Sequence, residues 1–125
     1  MKITSVKITL ASHNYERLLA FASIVIDNCF VVKDLKIIQG QDGLFVAMPS
    51  RRMTDKCQEC GNKNHYQAWF CHWCGSRLDG RRAPLDSMGK HMLHADVCHP
   101  LDQETRRYIN DMVLDEYDRV FPEEA

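Results

Sequence analysis

The sequence predicts an α+β fold: an antiparallel β-sheet, a C-terminal α-helix, and a small zinc-ribbon-like insertion between them. Three observations carry that expectation. The first fifty residues alternate or run in β-branched stretches. Residues 103–120 carry an apolar stripe at helical spacing behind an N-cap. Between these regions, four of the six cysteines stand in two Cys-x-x-Cys-Gly pairs.

Each element follows from its residues. "KITSVKITL" sets Ile3, Val6, Ile8 and Leu10 near a two-residue period, as a half-buried strand requires. "RLLAFASIVIDNCFVVKDLKIIQ" is too apolar and β-branched for a surface helix, and Asp27-Asn28 breaks it, so strands are expected over 17–26 and 29–38. "GQDG" at 40–43 is a turn, and "LFVAMPS" is a further strand that Pro49 can only end or edge, because proline donates nothing to a ladder. "DGRRAPLDSMGK" is turn-rich. In "HMLHADVCHP" alternation resumes, with Leu93, Ala95 and Val97 on one face and Met92, His94, Asp96 and Cys98 on the other. The segments on either side of the cysteine block therefore read as two arms of one hairpin. The expected organisation is a discontinuous α+β domain, 1–52 and 91–125, with a module inserted over 53–90. Asp102 is a suitable N-cap for "QETRRYINDMVLDEYDRV", whose stripe runs through Ile109, Met112, Val113, Glu116/Tyr117 and Val120.

The 125-residue chain has 45% hydrophobic and 26% charged residues, ordinary for a globular protein. No apolar run approaches the roughly 20 residues a membrane span needs, and the N-terminus lacks the uninterrupted apolar core of a secretory signal. A cytoplasmic protein with no membrane partner is expected, and in a reducing compartment its cysteines point to metal or free thiols. Cys29 and Cys98, each in a strand segment, are expected to be small buried or half-buried residues.

Cys57, Cys60, Cys71 and Cys74 can converge four thiolates on one tetrahedral Zn2+, and Gly61 and Gly75 stand where a knuckle turn often needs positive φ. A redox dithiol would need only one pair inside a βαβ setting, which is absent. Four protein sulfurs close the coordination shell, so one structural zinc per chain is expected, with His65 and His72 as flanking surface residues. Tyr66, Trp69, Phe70 and Trp73 are open to two uses. They could stack on single-stranded bases beside Lys63 and Arg77, or cover a module too small to build a core. Covering is the expectation for Trp69 and Phe70.

The formal net charge of -1 conceals an asymmetry. Residues 51–82 hold seven basic and three acidic groups, a formal +4; residues 100–125 hold three basic and eight acidic, a formal -5. A divalent ion on four thiolates carries about -2, which lowers the central excess to about +2. That is a modest basic face.

Outside the cysteine block the sequence resembles the SpoVG septation-protein family of bacteria. The resemblance runs through "MKITSVKI", "AFASIVIDNCFVVKDLKII", "GLFVAMPSRR" and "HADVCHPLDQETRRYINDMVLDEYDRV", about two-thirds of the chain. "MPSR", then "HP", a capped "ETR" and a helix ending "EY" are specific in combination. Residues 53–90 stand where the family has a short polar turn. The resemblance implies a curved antiparallel sheet with a C-terminal helix, dimerising through the sheet. It also implies DNA- and RNA-binding regulators of septation, cell division, sporulation or gene expression, not enzymes. Matched to this chain, the nucleic-acid contacts it implies are Arg51 and Arg52 from "MPSRR" and Arg106 and Arg107 from "ETRR". Against contact stands an i,i+4 pairing of Arg107 with Asp111 on a solvated helix face. An alternative function is a protein-interaction adaptor whose zinc module docks a partner. An enzyme is not expected: Asp34, His94, Asp96 and His99 form no recognisable triad, P-loop or open metal site.

Overall fold

The computed structural model describes residues 1–11 and 17–122; Glu123 and Glu124 of the acidic tail lie outside them. Among the described residues eight strands precede one helix: β1 Ile3–Leu10, β2 Leu18–Ile26, β3 Phe30–Gly40, β4 Gly43–Ala47, β5 Ser50–Arg52, β6 Thr54–Lys56, β7 Lys63–His65, β8 His94–Asp96 and α1 Gln103–Val120. The fold is α+β, as the sequence predicts. Two compact units form, Met1–Pro49 with Cys98–Ala125, and Ser50–Val97.

In the first unit β1 to β4 make an antiparallel meander in chain order. Ile26 pairs with Phe30, and in the three-residue connection between them Asp27 and Asn28, at φ 51° and 55°, are the central pair of a turn whose twist suits a hairpin. Cys29 closes that turn, donating its N–H to the Ile26 carbonyl at 3.1 Å. It is therefore an exposed turn residue, not the buried or half-buried strand residue expected, whereas Cys98 is half-buried as expected but lies just past β8; both are free thiols.

β3 carries a bulge. Ala22 pairs with Leu35 and Ile24 with Val32, so Lys33 and Asp34 together oppose Ser23. Asp34 takes the extra residue at φ 65°, a left-handed conformation that a short polar side chain tolerates. The bulge moves the inward positions from Val32 to Leu35 and Ile37, a spacing of three where a regular strand has two. The core consists of Ile3, Ala20, Ala22, Ile24, Leu35, Ile37, Val46, Ile109 and Val113. Alanines at the centre of β2 leave room for the helix to lie on the sheet.

Helix α1 begins where expected. Asp102 accepts the Thr105 N–H at 2.6 Å, and that bond holds its carboxyl below the usual carboxylate value. Ile109 and Val113 are buried, while Val120 at the end of the predicted stripe is exposed. The helix also bonds both edge strands. The Ile3 N–H donates to the Tyr108 hydroxyl at 2.9 Å, and the Val46 N–H donates to Asn110 Oδ1 at 3.0 Å. Side chains of the helix thus satisfy N–H groups that the ends of the sheet leave unpaired.

In the second unit β5 pairs antiparallel with β8, Arg51 opposite Ala95 and Arg52 opposite His94, so the two arms of the expected hairpin meet. The cysteine module lies between them in the chain. Its first knuckle closes the β6–β7 ladder, and its second closes a single bridge between Phe70 and Arg77. No helix among the described residues is long and apolar enough to cross a membrane.

Candidate functional site

The two knuckles repeat one hydrogen-bond pattern. Cys57 N–H donates to the Asn62 carbonyl at 2.9 Å, and Gly61 N–H to the Cys57 carbonyl at 2.8 Å. Cys71 N–H donates to the Ser76 carbonyl at 2.8 Å, and Gly75 N–H to the Cys71 carbonyl at 3.0 Å. Gly61 and Gly75 lie at φ 77° and 79°, where a side chain would be strained, which accounts for the glycine after each pair.

The knuckles bring four sulfurs together. All four Sγ atoms of Cys57, Cys60, Cys71 and Cys74 lie within 4.8 Å of one another, and neither His65 nor His72 belongs to the cluster. Cys57 and Cys74 Sγ are 3.7 Å apart, and Cys60 and Cys71 Sγ 3.6 Å. A tetrahedron with metal–sulfur bonds of about 2.3 Å has edges of about 3.8 Å, so these residues fit a metal ion. The separations are well beyond a disulfide bond of about 2.05 Å.

Donors surround the sulfurs. Cys71 Sγ accepts from Asn64 Nδ2 at 3.3 Å and from the Trp73 N–H at 3.4 Å, and Cys60 Sγ accepts from Asn62 Nδ2 at 3.5 Å. The Cys74 N–H, with Asn64 and Trp73, lowers the Cys71 pKa to about 6 against the opposing effect of burial. The Ser76 hydroxyl, 3.1 Å from Cys74 Sγ, lowers that thiol as well. These groups favour the thiolates of Cys71 and Cys74; at Cys60 the Asn62 N–H lowers the thiol, but burial and the neighbouring Cys71 and Cys74 thiols leave it raised.

Two residues that sequence reasoning passed over hold the module. Asn64 is buried, and its Oδ1 accepts the His72 N–H at 2.9 Å while its amide serves Cys71. Arg82 grips Asp55 with Nε at 2.8 Å and Nη2 at 3.0 Å, and donates to the carbonyls of His65, Ala68 and Asp79 at 2.7–2.9 Å. Nothing in "GRR" separates Arg82 from Arg81, because most of the acceptors that single it out, on Asp55, His65 and Ala68, are remote in the chain. The His65 ring is kept neutral by burial first, then by the charges of Arg52, His72 and Arg82.

The aromatics do not cover the module. Trp69 is 47% exposed, Phe70 60% and Trp73 69%. The covering expected of Phe70 fails and that of Trp69 is limited to the backbone at Gly80, because small and sulfur-bearing groups fill the interior: Cys57, Cys71, Asn64, Ala68 and Ala83.

The four arginines of the nucleic-acid expectation are all exposed, Arg51 and Arg52 on β5 and Arg106 and Arg107 in the first turns of α1. Among the described residues none forms an ion pair, so the Arg107–Asp111 pairing is not made. His94 and Asp96 lie on β8, while Asp34 and His99 belong to the other unit.

These features define a small α+β protein with one antiparallel meander, one edge-bonding helix and a four-thiol module in the chain between them. The profile of the SpoVG family matches residues 1–119. The chain belongs to the SpoVG family. A Bdellovibrio bacteriovorus protein named "Putative septation protein SpoVG" is 38% identical over 119 residues, spanning 95% of this chain and 75% of that protein. Proteins of the same name from an Anaeromyxobacter species and from Caldicellulosiruptor bescii are 34% and 32% identical, and the matches span 84% and 94% of their lengths.

Proposed function

We propose that the chain is a nucleic-acid-binding regulatory protein, acting on DNA or RNA in septation or gene regulation, with a structural zinc ion in its four-thiol cluster. The observation that carries this proposal is the state of the four arginines. Arg51, Arg52, Arg106 and Arg107 are exposed and make no ion pair among the described residues. Guanidinium forks free of carboxylates are suited to phosphate oxygens. The zinc ion would have all four positions filled by sulfur, which leaves no site for water activation and gives it the role of a staple. No catalytic role is proposed for Asp34, His94, Asp96 or His99.

The sheet face away from α1 supports a homodimer as part of this proposal. Strand alternation places Phe21, Val25, Val31, Ile38 and Phe45 on that face. Val31 and Phe45 are exposed there.

Fluorescence anisotropy with a labelled duplex and a labelled single-stranded RNA at low salt tests the function. Binding should weaken with rising salt, and Arg51→Glu with Arg106→Glu should lower affinity for every sequence tried. No retention of either nucleic acid at low salt overturns the proposal.

A protein-docking role for the module is the second reading, favoured by the apolar residues Leu85 and Met88, exposed on a turn that Asp86 braces. Replacing residues 53–90, which include Leu85 and Met88, by a short turn should then abolish a protein partner and leave nucleic-acid binding intact. Loss of both counts against docking.

A further inference from the structure

Both tryptophans of the chain sit in the cysteine module, and both face water. Trp69 is held firmly while it does so. Its indole lies on the backbone at Gly80, where a Cβ would fall 2.4 Å from Cε2 and 2.6 Å from Nε1. Its carbonyl accepts the Leu78 N–H at 2.7 Å. The Arg81 guanidinium carbon stands 6.0 Å from the indole centroid, at the limit of cation–π contact. Asp79 fixes the turn that carries Arg81, since its Oδ1 accepts the Arg81 N–H at 2.9 Å.

The result is one open groove lined by Trp69, Arg77, Leu78, Asp79 and Arg81. Its two guanidinium groups form no ion pair among the described residues. The single acid in the groove, Asp79, is engaged with backbone N–H. A pre-positioned indole beside two unpaired cations matches a flat base flanked by phosphates.

We propose that this groove is a stacking site for one base of a single-stranded nucleic acid, with Arg77 and Arg81 on the neighbouring phosphates. A duplex does not suit it, because paired bases present only their edges and keep their faces stacked on each other. An acidic peptide would satisfy the arginines but leave the indole without a planar partner. The site shares no residue with the four arginines of the function proposed above, so the two proposals can fail separately.

The test uses the full metal-loaded chain with Trp73→Phe, which leaves Trp69 as the sole tryptophan. Its emission is followed during titration with a short oligothymidylate, with inorganic polyphosphate, and with a duplex of the same length. Saturable quenching by the oligothymidylate alone is expected. Trp69→Leu, which keeps an apolar group on Gly80 but removes the stacking face, should weaken labelled oligothymidylate binding by about five- to a hundredfold. Arg77→Glu with Arg81→Glu, at exposed positions, should weaken it too and reduce the log–log salt slope by about 1.4. Metal content is measured on every variant, and the arginine pair decides the matter if Trp69→Leu releases metal. Unchanged Trp69 emission at saturating oligothymidylate overturns the proposal, as does equal quenching by polyphosphate or by duplex. Persistence of oligothymidylate quenching in Arg51→Glu with Arg106→Glu supports an independent site; its loss there overturns one.

Discussion

The two compact units are held together by different physics. The sheet-and-helix unit buries a contiguous apolar core, with Ile24, Leu35, Ile37 and Val113 almost wholly removed from water. The module over Ser50–Val97 buries Cys57, Asn64, Ala68, Cys71 and Ala83, and among its described residues no leucine, isoleucine, valine or aromatic is buried. At about 25 cal/mol per Å² of apolar area, alanines and thiols cannot offset the chain entropy of so many turns. With the proposed ion bound, the module instead relies on four coordinating sulfurs and on Arg82. One unit is stabilised by solvent exclusion, which tolerates graded damage, and the other by a few specific bonds, which does not.

Breaking the sulfur cluster should have the largest effect. Cys71→Ser is expected to release the metal and unfold the module while the sheet-and-helix unit keeps its own cooperative melting transition, read by calorimetry with metal analysis. Damage to the apolar core should behave in the opposite way. Leu35→Ala, at a fully buried site, is expected to cost the sheet-and-helix unit about 2–5 kcal/mol with metal content unchanged. Arg82→Lys should cost less than either, at about 1–2 kcal/mol within the module, because the ammonium keeps the charge but cannot reproduce the fork that grips Asp55 and three carbonyls. Faster metal release to a chelator would report that loss.

The smallest effect expected is one of pH on the helix start. The Asp102 carboxyl sits below its ordinary value of 3.8 because it accepts the Thr105 N–H. Its contribution is therefore present above that value and lost as pH falls through the depressed one. Thermal scans of Asp102→Asn and the parent chain should converge as the pH is lowered through this range and differ most near neutrality.

Much of this architecture is legible in the sequence, and the exceptions have physical causes. The Asp102 cap and the helix over 103–120 are local features, set by residues a turn apart. The cysteine pairs are equally local, since each knuckle is built by its own glycine and backbone bonds. The bulge at Asp34 hides because a single inserted residue only shifts a two-residue period, which an apolar run such as "FVVKDLKII" masks. The exposed aromatics are missed for a related reason: composition counts tryptophan as core, while burial depends on what else can fill the space. Arg82, Asn64 and Gly80 act through partners brought together only by the fold, so no spacing announces them.

The claim that sulfur coordination, and not an apolar core, holds the module is tested most directly by amide hydrogen exchange with and without a strong zinc chelator. Exchange across 50–97 should rise sharply on metal removal, while β1 to β4 and α1 keep their protection. Equal protection of 50–97 in the metal-free chain would contradict the account, as would a preparation holding much less than about one metal ion per chain.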